Sequence, residues 1–292
     1  MITYKAEVFD NAKYALGEGP YYDPRYGRLS WVDILDNCLW TLSADGEKRN
    51  FDLGQPIGAA IPRKHSEGFL LAAADGLYSY ENGKARLAKD LRKVYKPYWR
   101  SNDAKADPRG RIFFGASVRD DKYEAEGALY SYDASLRIGD VDSLVTCMQP
   151  DTKIANGMAW SADQKKFYFS DSLEHAVFVY DYDVETGNIS DRKVLFTVEN
   201  GVPDGMCIDS EDNLYLAVWG GSRVEKRSGQ TGELLAVIET MAEHTTSCCF
   251  GGEQMKTLFI TSSGDGLNGE FDGCIFKCEL DVKGVAPDYA KI

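Results

Sequence analysis

Histidine is scarce in this sequence, occurring only at His65, His175 and His244. There is also no Gly-x-Ser-x-Gly elbow, so a Ser-His-Asp hydrolase is disfavoured. Long apolar runs are missing: no stretch approaches the roughly 18 residues of a membrane span. Basic clusters are missing too. No run of Lys or Arg exceeds two residues and the formal net charge is −13, whereas phosphate binding needs a basic face. Neither a membrane nor a nucleic acid is therefore expected as a partner. The seven cysteines include no Cys-x-x-Cys pair, which argues against a structural zinc site and for reduced, mostly buried thiols. Met1–Glu7 has neither the basic stretch nor the apolar core of a secretory leader, so the expected location is cytoplasmic. Amphipathic helical patterns are nearly absent, with Ala88–Tyr95 a weak exception.

What is present is repetition. Six short apolar segments, rich in aromatic and β-branched residues, recur at Leu29–Asp33, Phe69–Ala73, Ile112–Ala116, Phe167–Asp171, Leu214–Val218 and Leu258–Ser262. Their spacing of roughly 40 to 55 residues fits one four-stranded blade plus loops. Several are followed by a second strand-like run and a turn such as Asp45-Gly46, Asn82-Gly83 or Thr186-Gly187, where Gly supplies positive φ. A blade cannot cover both of its faces alone, so six units imply a ring. The expected fold is all-β, a six-bladed β-propeller formed as a single domain over residues 1–292. The strand-like Lys5–Phe9 is expected to complete the last blade. A two-sheet sandwich is the alternative.

A second repeat lies about ten to twelve residues ahead of each apolar segment, at the expected start of each blade's innermost strand. Its equivalent positions, Glu18, Gly58, Asn102, Asn156, Asp204 and Thr246, should surround one axis. Two carboxylates and two amide carbonyls make a hard-oxygen set suited to one divalent cation, Ca²⁺, Mg²⁺ or Mn²⁺, and able to take Zn²⁺. Taken singly, Asn and Asp beside Gly would read as turn formers; the shared offset is what points to an axial metal site.

Leu16–Pro20, Arg100–Asp103 with Asp107–Arg111, Asn156-Gly157, Pro203–Asp209 and Thr245–Gly252 together resemble the SMP-30/gluconolactonase/luciferin-regenerating-enzyme-like family, in order along nearly the whole chain. The resemblance implies a six-bladed propeller with one divalent metal held by Glu18, Asn156 and Asp204. It implies substrate contacts at Arg100 and Asn102, with a further carboxylate near Asp120, for which Asp121 or Glu124 of the Val118–Gly127 loop are alternatives. Ala104 stands where relatives usually have Gly.

The expected activity is metal-dependent opening of a small sugar-acid lactone to its free acid, with the lactone as the small-molecule partner. Asp204 is the catalytic candidate, to orient or deprotonate the attacking water. A carboxylate that also binds the cation is a weak base, so orienting a water already ionised by the cation is the alternative role. Phosphotriester or aryl-ester hydrolysis, or calcium binding without catalysis, are the competing functions. His244 precedes the Thr245-Thr246 repeat and is a candidate to approach the channel. Trp99, Tyr123 and Trp219 are candidates either to shape a pocket or to pack blades.

Overall fold

A computed structural model describes residues 2–118, 122–135 and 145–292. The described residues form six sheets, antiparallel except for one parallel edge strand. The first is β3 (Gly17–Asp23), β4 (Arg28–Asp33), β5 (Cys38–Leu42) and β6 (Lys48–Asp52). The second is β7 (Ile57–Pro62), β8 (Phe69–Ala73), β9 (Gly76–Glu81) and β10 (Lys84–Asp90). The third is β11 (Trp99–Ala106), β12 (Ile112–Val118), β13 (Gly127–Tyr132) and β14 (Val145–Thr152). The fourth is β15 (Ala155–Trp160), β16 (Lys166–Asp171), β17 (Ala176–Tyr182) and β18 (Ile189–Thr197). The fifth contains β19 (Val202–Ile208), β20 (Asn213–Trp219), β21 (Arg223–Ser228) and β22 (Leu234–Glu239). The sixth contains β23 (His244–Gly251), β24 (Thr257–Ser263) and β25 (Ile275–Glu279).

The six apolar segments of the sequence are the second strands of these blades, buried on both faces because each blade stacks on its neighbours. The innermost strands pack in sequence, β3 on β7, β7 on β11, β11 on β15, β15 on β19, β19 on β23, and β23 back on β3. That closed circuit is the six-bladed propeller. Between blades, aromatic rings interlock: Phe113 of blade three meets Trp160 and Phe167 of blade four, each at 5.3 Å between centroids. Removing such a ring to Ala would cost about 3–5 kcal/mol.

The chain's first strand is divided. β2 (Glu7–Asp10) pairs antiparallel with β25 and completes blade six, as the sequence predicts. β1 (Ile2–Lys5) instead adds in parallel to β22 as a fifth strand of blade five. One short segment therefore ties two adjacent blades together at the ring closure. The weak helical pattern at Ala88–Tyr95 is not a helix: β10 continues to Asp90, with a bulge between Leu87 and Lys89, and a single turn follows in which Tyr95 N–H donates to Leu91 O at 2.7 Å. Among the described residues no helix is long and apolar enough to cross a membrane. All seven cysteines are free thiols.

Every innermost strand carries an irregularity at its axial repeat position. Pairing with the second strand shifts between Glu18 and Tyr21, Ile57 and Ala59, Ser101 and Ala104, Ala155 and Met158, Pro203 and Met206, and Thr245 and Ser247. A bulge bends its strand and re-aims one side chain out of the sheet's alternation. Repeated six times at one level, it turns a ring of strands into a ring of functional groups. Close approach is part of the design. A methyl group at Gly58 would collide with the carbonyls of Ser101 and Asn102, and one at Gly157 with the backbone of Asp204 to Met206.

Candidate functional site

The structure brings Glu18, Asn102, Asn156 and Asp204 to the axis from blades one, three, four and five. Glu18 is 7 % exposed, Asn156 and Asp204 4 % each. Glu18 Oε2 accepts the N–H of Gly19 at 2.9 Å, and Asn156 Nδ2 donates to Ser172 Oγ at 3.2 Å. With its Nδ2 thus engaged, Asn156 has a buried Oδ1 that meets no hydrogen-bond partner, and the same is true of Asp204 Oδ1. A buried oxygen without a donor is costly, and two of them beside the carboxylate of Glu18 call for a cation. Among the described residues no three His, Cys, Asp or Glu side chains cluster as metal ligands; this set contains two carboxylates and draws its third oxygen from the amide of Asn156.

The electrostatics agree. Burial and then the charge of Asp103 push Glu18 up to about 8, against the opposing pull of the Gly19 N–H, Arg100 and Lys105. Burial and then Glu18 and Asp103 raise Asp204 well above the carboxylate range, opposed by the amide of Asn156 and the Gly205 N–H. Burial likewise raises Asp103, with Lys105 and the Ala104 N–H lowering it. Three carboxylates thus share a channel with two cationic side chains, and the negative form is held at a penalty that a cation would remove.

Arg100 sits beside this group on β11. Its Nη1 donates to Ser101 O at 2.9 Å and to Asn102 Oδ1 at 2.8 Å. Asn102 Nδ2 in turn donates to Ala155 O at 3.1 Å. Among the described residues the guanidinium is fixed through Nη1 alone, with Nη2 and Nε not engaged by any of them. Burial lowers its pKa, partly offset by Glu18. Asp120 and Asp121 lie outside the described residues; Glu124 is exposed, in the stretch that leads back into β13.

Several residues that position the site escape a motif-level reading. Asp33, at the end of β4, accepts the N–H groups of Ala15 and Leu16 at 2.8 and 3.0 Å. Asp171, at the end of β16, does the same for Lys153 and Ile154 at 2.8 and 3.0 Å. Each buried carboxylate clamps the chain just ahead of an axial residue, Glu18 or Asn156. Their sequence signal is an Asp closing the apolar segment in Trp31-Val32-Asp33 and Phe169-Ser170-Asp171. Asp103 and Lys105 are also missed. Lys105 Nζ reaches Met206 O across the channel.

Of the aromatic candidates, Trp99 is buried beside Tyr95 and belongs to blade packing. Tyr123 stacks on Tyr98 at 4.2 Å. Trp219 stacks on His244 at 4.0 Å and 18°. A cavity of about 90 Å³ lies further along the innermost strands, lined by Tyr21, Lys105, Trp160, Cys207 and Pro287 among others. Its walls are largely apolar and the axial oxygens are not among them, so the polar chemistry belongs to the bulge level instead.

The family model for the SMP-30/Gluconolactonase/LRE-like region matches residues 16–264. The chain belongs to this family. Regucalcin from Danio rerio is 33 % identical, covering 98 % of each chain. Among solved structures, a luciferin-regenerating enzyme is 30 % identical with a TM-score of 0.88, covering 98 % of this chain and 99 % of that one. A regucalcin from Agrobacterium tumefaciens, described as a calcium-binding protein, is 26 % identical with a TM-score of 0.91 over 100 % of both chains. The two solved structures share this chain's fold over nearly the full length of both chains.

Proposed function

We propose that the chain is a metal-dependent hydrolase that opens an aldonolactone to its free acid. The observation that carries this reading is the axial trio, Glu18 with the partnerless oxygens of Asn156 and Asp204, set beside a guanidinium with unused donors. Membership of a family named in part for gluconolactonase supports the reaction class. Glu18, Asn156 and Asp204 fit a divalent cation, whether Ca²⁺, Zn²⁺, Mn²⁺ or Mg²⁺. When bound, it would polarise the ester carbonyl and acidify water.

The remaining work falls to side chains. Asp204, whose carboxylate also helps hold the cation, orients the attacking water or receives its proton. Arg100 donates from Nη2 and Nε to the lactone, where its charge stabilises the oxygen that gains electron density as the ring opens. Asn102 holds Arg100 in place through Oδ1, and its second amide hydrogen is available to a substrate hydroxyl. A carboxylate of the 118–127 loop, Asp120 first with Asp121 or Glu124 as alternatives, is the further substrate contact that the family resemblance implies.

Proton release from a panel of glucono-, galactono- and arabinono-lactones, an aryl ester and a phosphotriester tests the proposal. Lactones turned over in preference to the other esters support it. Preference for the aryl ester or phosphotriester would replace the substrate class. Cation binding with no turnover at all would leave a calcium-binding propeller, as the Agrobacterium relative is described.

A further inference from the structure

We propose that His244, backed by Trp219, is the wall of the mouth that faces Arg100 and selects the substrate by hydrogen bonding one of its hydroxyl groups. This rests on the lactonase reading for the identity of the substrate. The placement follows from the repeat. Arg100 lies two residues ahead of the bulge residue Asn102, and His244 two residues ahead of Thr246. His244 is the first residue of its innermost strand and Arg100 the second of its own, and both pair with a serine of the second strand, Arg100 with Ser117 and His244 with Ser263. The other four blades carry Leu16, Pro56, Ile154 and Val202 at this position, none with a polar side chain. Each lies one regular pair ahead of its bulge, Ser101 with Ala116 and Thr245 with Ser262, so the two residues occupy the same level of the ring. Blades three and six are opposite one another in a six-membered ring. The two residues therefore stand at one level of the ring on opposite sides of the axis.

The histidine is held but not satisfied. Its ring stacks on Trp219 at 4.0 Å. The strand around it is clamped by the Thr240–Thr245 hydroxyl pair at 2.9 Å and by Ser222 N–H donating to Glu243 O at 3.2 Å. Nδ1 is buried without a hydrogen-bond partner. Nε2 lies 4.0 Å from Glu243 Oε1, too far for a hydrogen bond. An imidazole with a donor and an acceptor both uncommitted, pinned by a flat indole, suits a polyhydroxylated ring. A site built to hydrogen-bond a hydroxyl penalises the analogue that lacks or inverts it, because the protein's polar group is then stranded.

The test is a kinetic and binding comparison of wild type, His244→Leu and His244→Gln, each checked for fold by circular dichroism and for cation affinity. On the best of the three lactones, His244→Leu is expected to raise KM about three- to tenfold, the worth of one neutral hydrogen bond. Its kcat should stay within about twofold, the signature of lost ground-state binding. The ratios of kcat/KM among the lactones should flatten, and His244→Gln should restore them in part. Unchanged ratios, or an equal fall on every lactone, would overturn the proposal. A binding arm separates this from the reaction class: gluconate should quench tryptophan fluorescence in wild type, weakly in His244→Leu, and not in Trp219→Phe. If wild type hydrolyses no lactone, the lactonase reading fails while this arm still decides the wall. Quenching that depends on His244 supports it, and quenching that is absent or indifferent to His244 overturns it.

Discussion

Arg100 donates from Nη1 to Oδ1 of Asn102 at 2.8 Å, and this bond sets which atoms of each residue remain for a ligand. Lysine offers a single ammonium in place of a planar fork and cannot hold Asn102 while also presenting two donors. Arg100→Lys is therefore expected to lower kcat/KM by about 10- to 100-fold, the range for hydrogen bonds to a charged group. Cation affinity should be nearly unchanged. Steady-state kinetics beside calorimetric cation binding check both halves; loss of cation binding in this variant would place Arg100 in a different role.

Asp171 predicts an effect on stability. It is buried and anchors two backbone N–H groups ahead of Asn156. Asp171→Ala strands both donors, at about 1–3 kcal/mol for each buried group left unsatisfied. A clear drop in the denaturation midpoint is expected, with weaker cation binding because β15 loses its fixed approach. Leu173→Ala, at an exposed neighbour, should do neither.

The pH dependence has a definite sign. Without a cation, Glu18 is pushed from 4.5 to about 8 by burial and by Asp103. A carboxyl raised on folding binds more protons in the folded state than in the unfolded one between those values. Stability of the cation-free protein should therefore fall as pH rises from about 4.5 to about 8. Cation affinity should rise over the same window, since the ligands must be deprotonated. Binding near neutrality should release protons, read by calorimetry in buffers of different ionisation enthalpy. Proton-independent binding would contradict the shared burial of Glu18 and Asp204.

The divided first strand separates two truncations. Removal of residues 1–5 takes away only the parallel fifth strand of blade five. Removal of residues 1–10 also strips β2 from blade six, with the Phe9–Phe259 ring contact at 5.0 Å. The longer truncation should lower the thermal midpoint far more, because it exposes an edge of β25 and opens the ring closure.

Much of this fold was legible because each blade's second strand is buried on both faces, which leaves an uninterrupted apolar segment in the sequence. The axial residues were legible because the bulge recurs at one offset, so Glu18, Asn102, Asn156 and Asp204 could be aligned without coordinates. The split at Ala6 was not, since parallel addition to β22 depends on which sheet edge lies nearby rather than on the strand's own pattern. Asp33 and Asp171 read locally as strand-end turn formers; only the structure shows their oxygens reaching back 17 and 18 residues. The helical pattern at Ala88–Tyr95 lost to strand pairing with β9. His244 was legible from its place ahead of Thr245-Thr246, but its stacking on Trp219 depends on a residue 25 positions earlier in another blade and needed the structure.

The central claim is that Glu18, Asn156 and Asp204 hold a cation required for lactone hydrolysis. The most direct measurement is proton release from the lactone panel by chelator-stripped protein as Ca²⁺, Mg²⁺, Mn²⁺ and Zn²⁺ are added separately, in wild type and in Asp204→Ala. Negligible turnover is expected in the stripped protein, with recovery that follows occupancy of one site per chain. No recovery is expected in a folded Asp204→Ala variant. Full turnover by stripped wild type, or by Asp204→Ala, would contradict the claim.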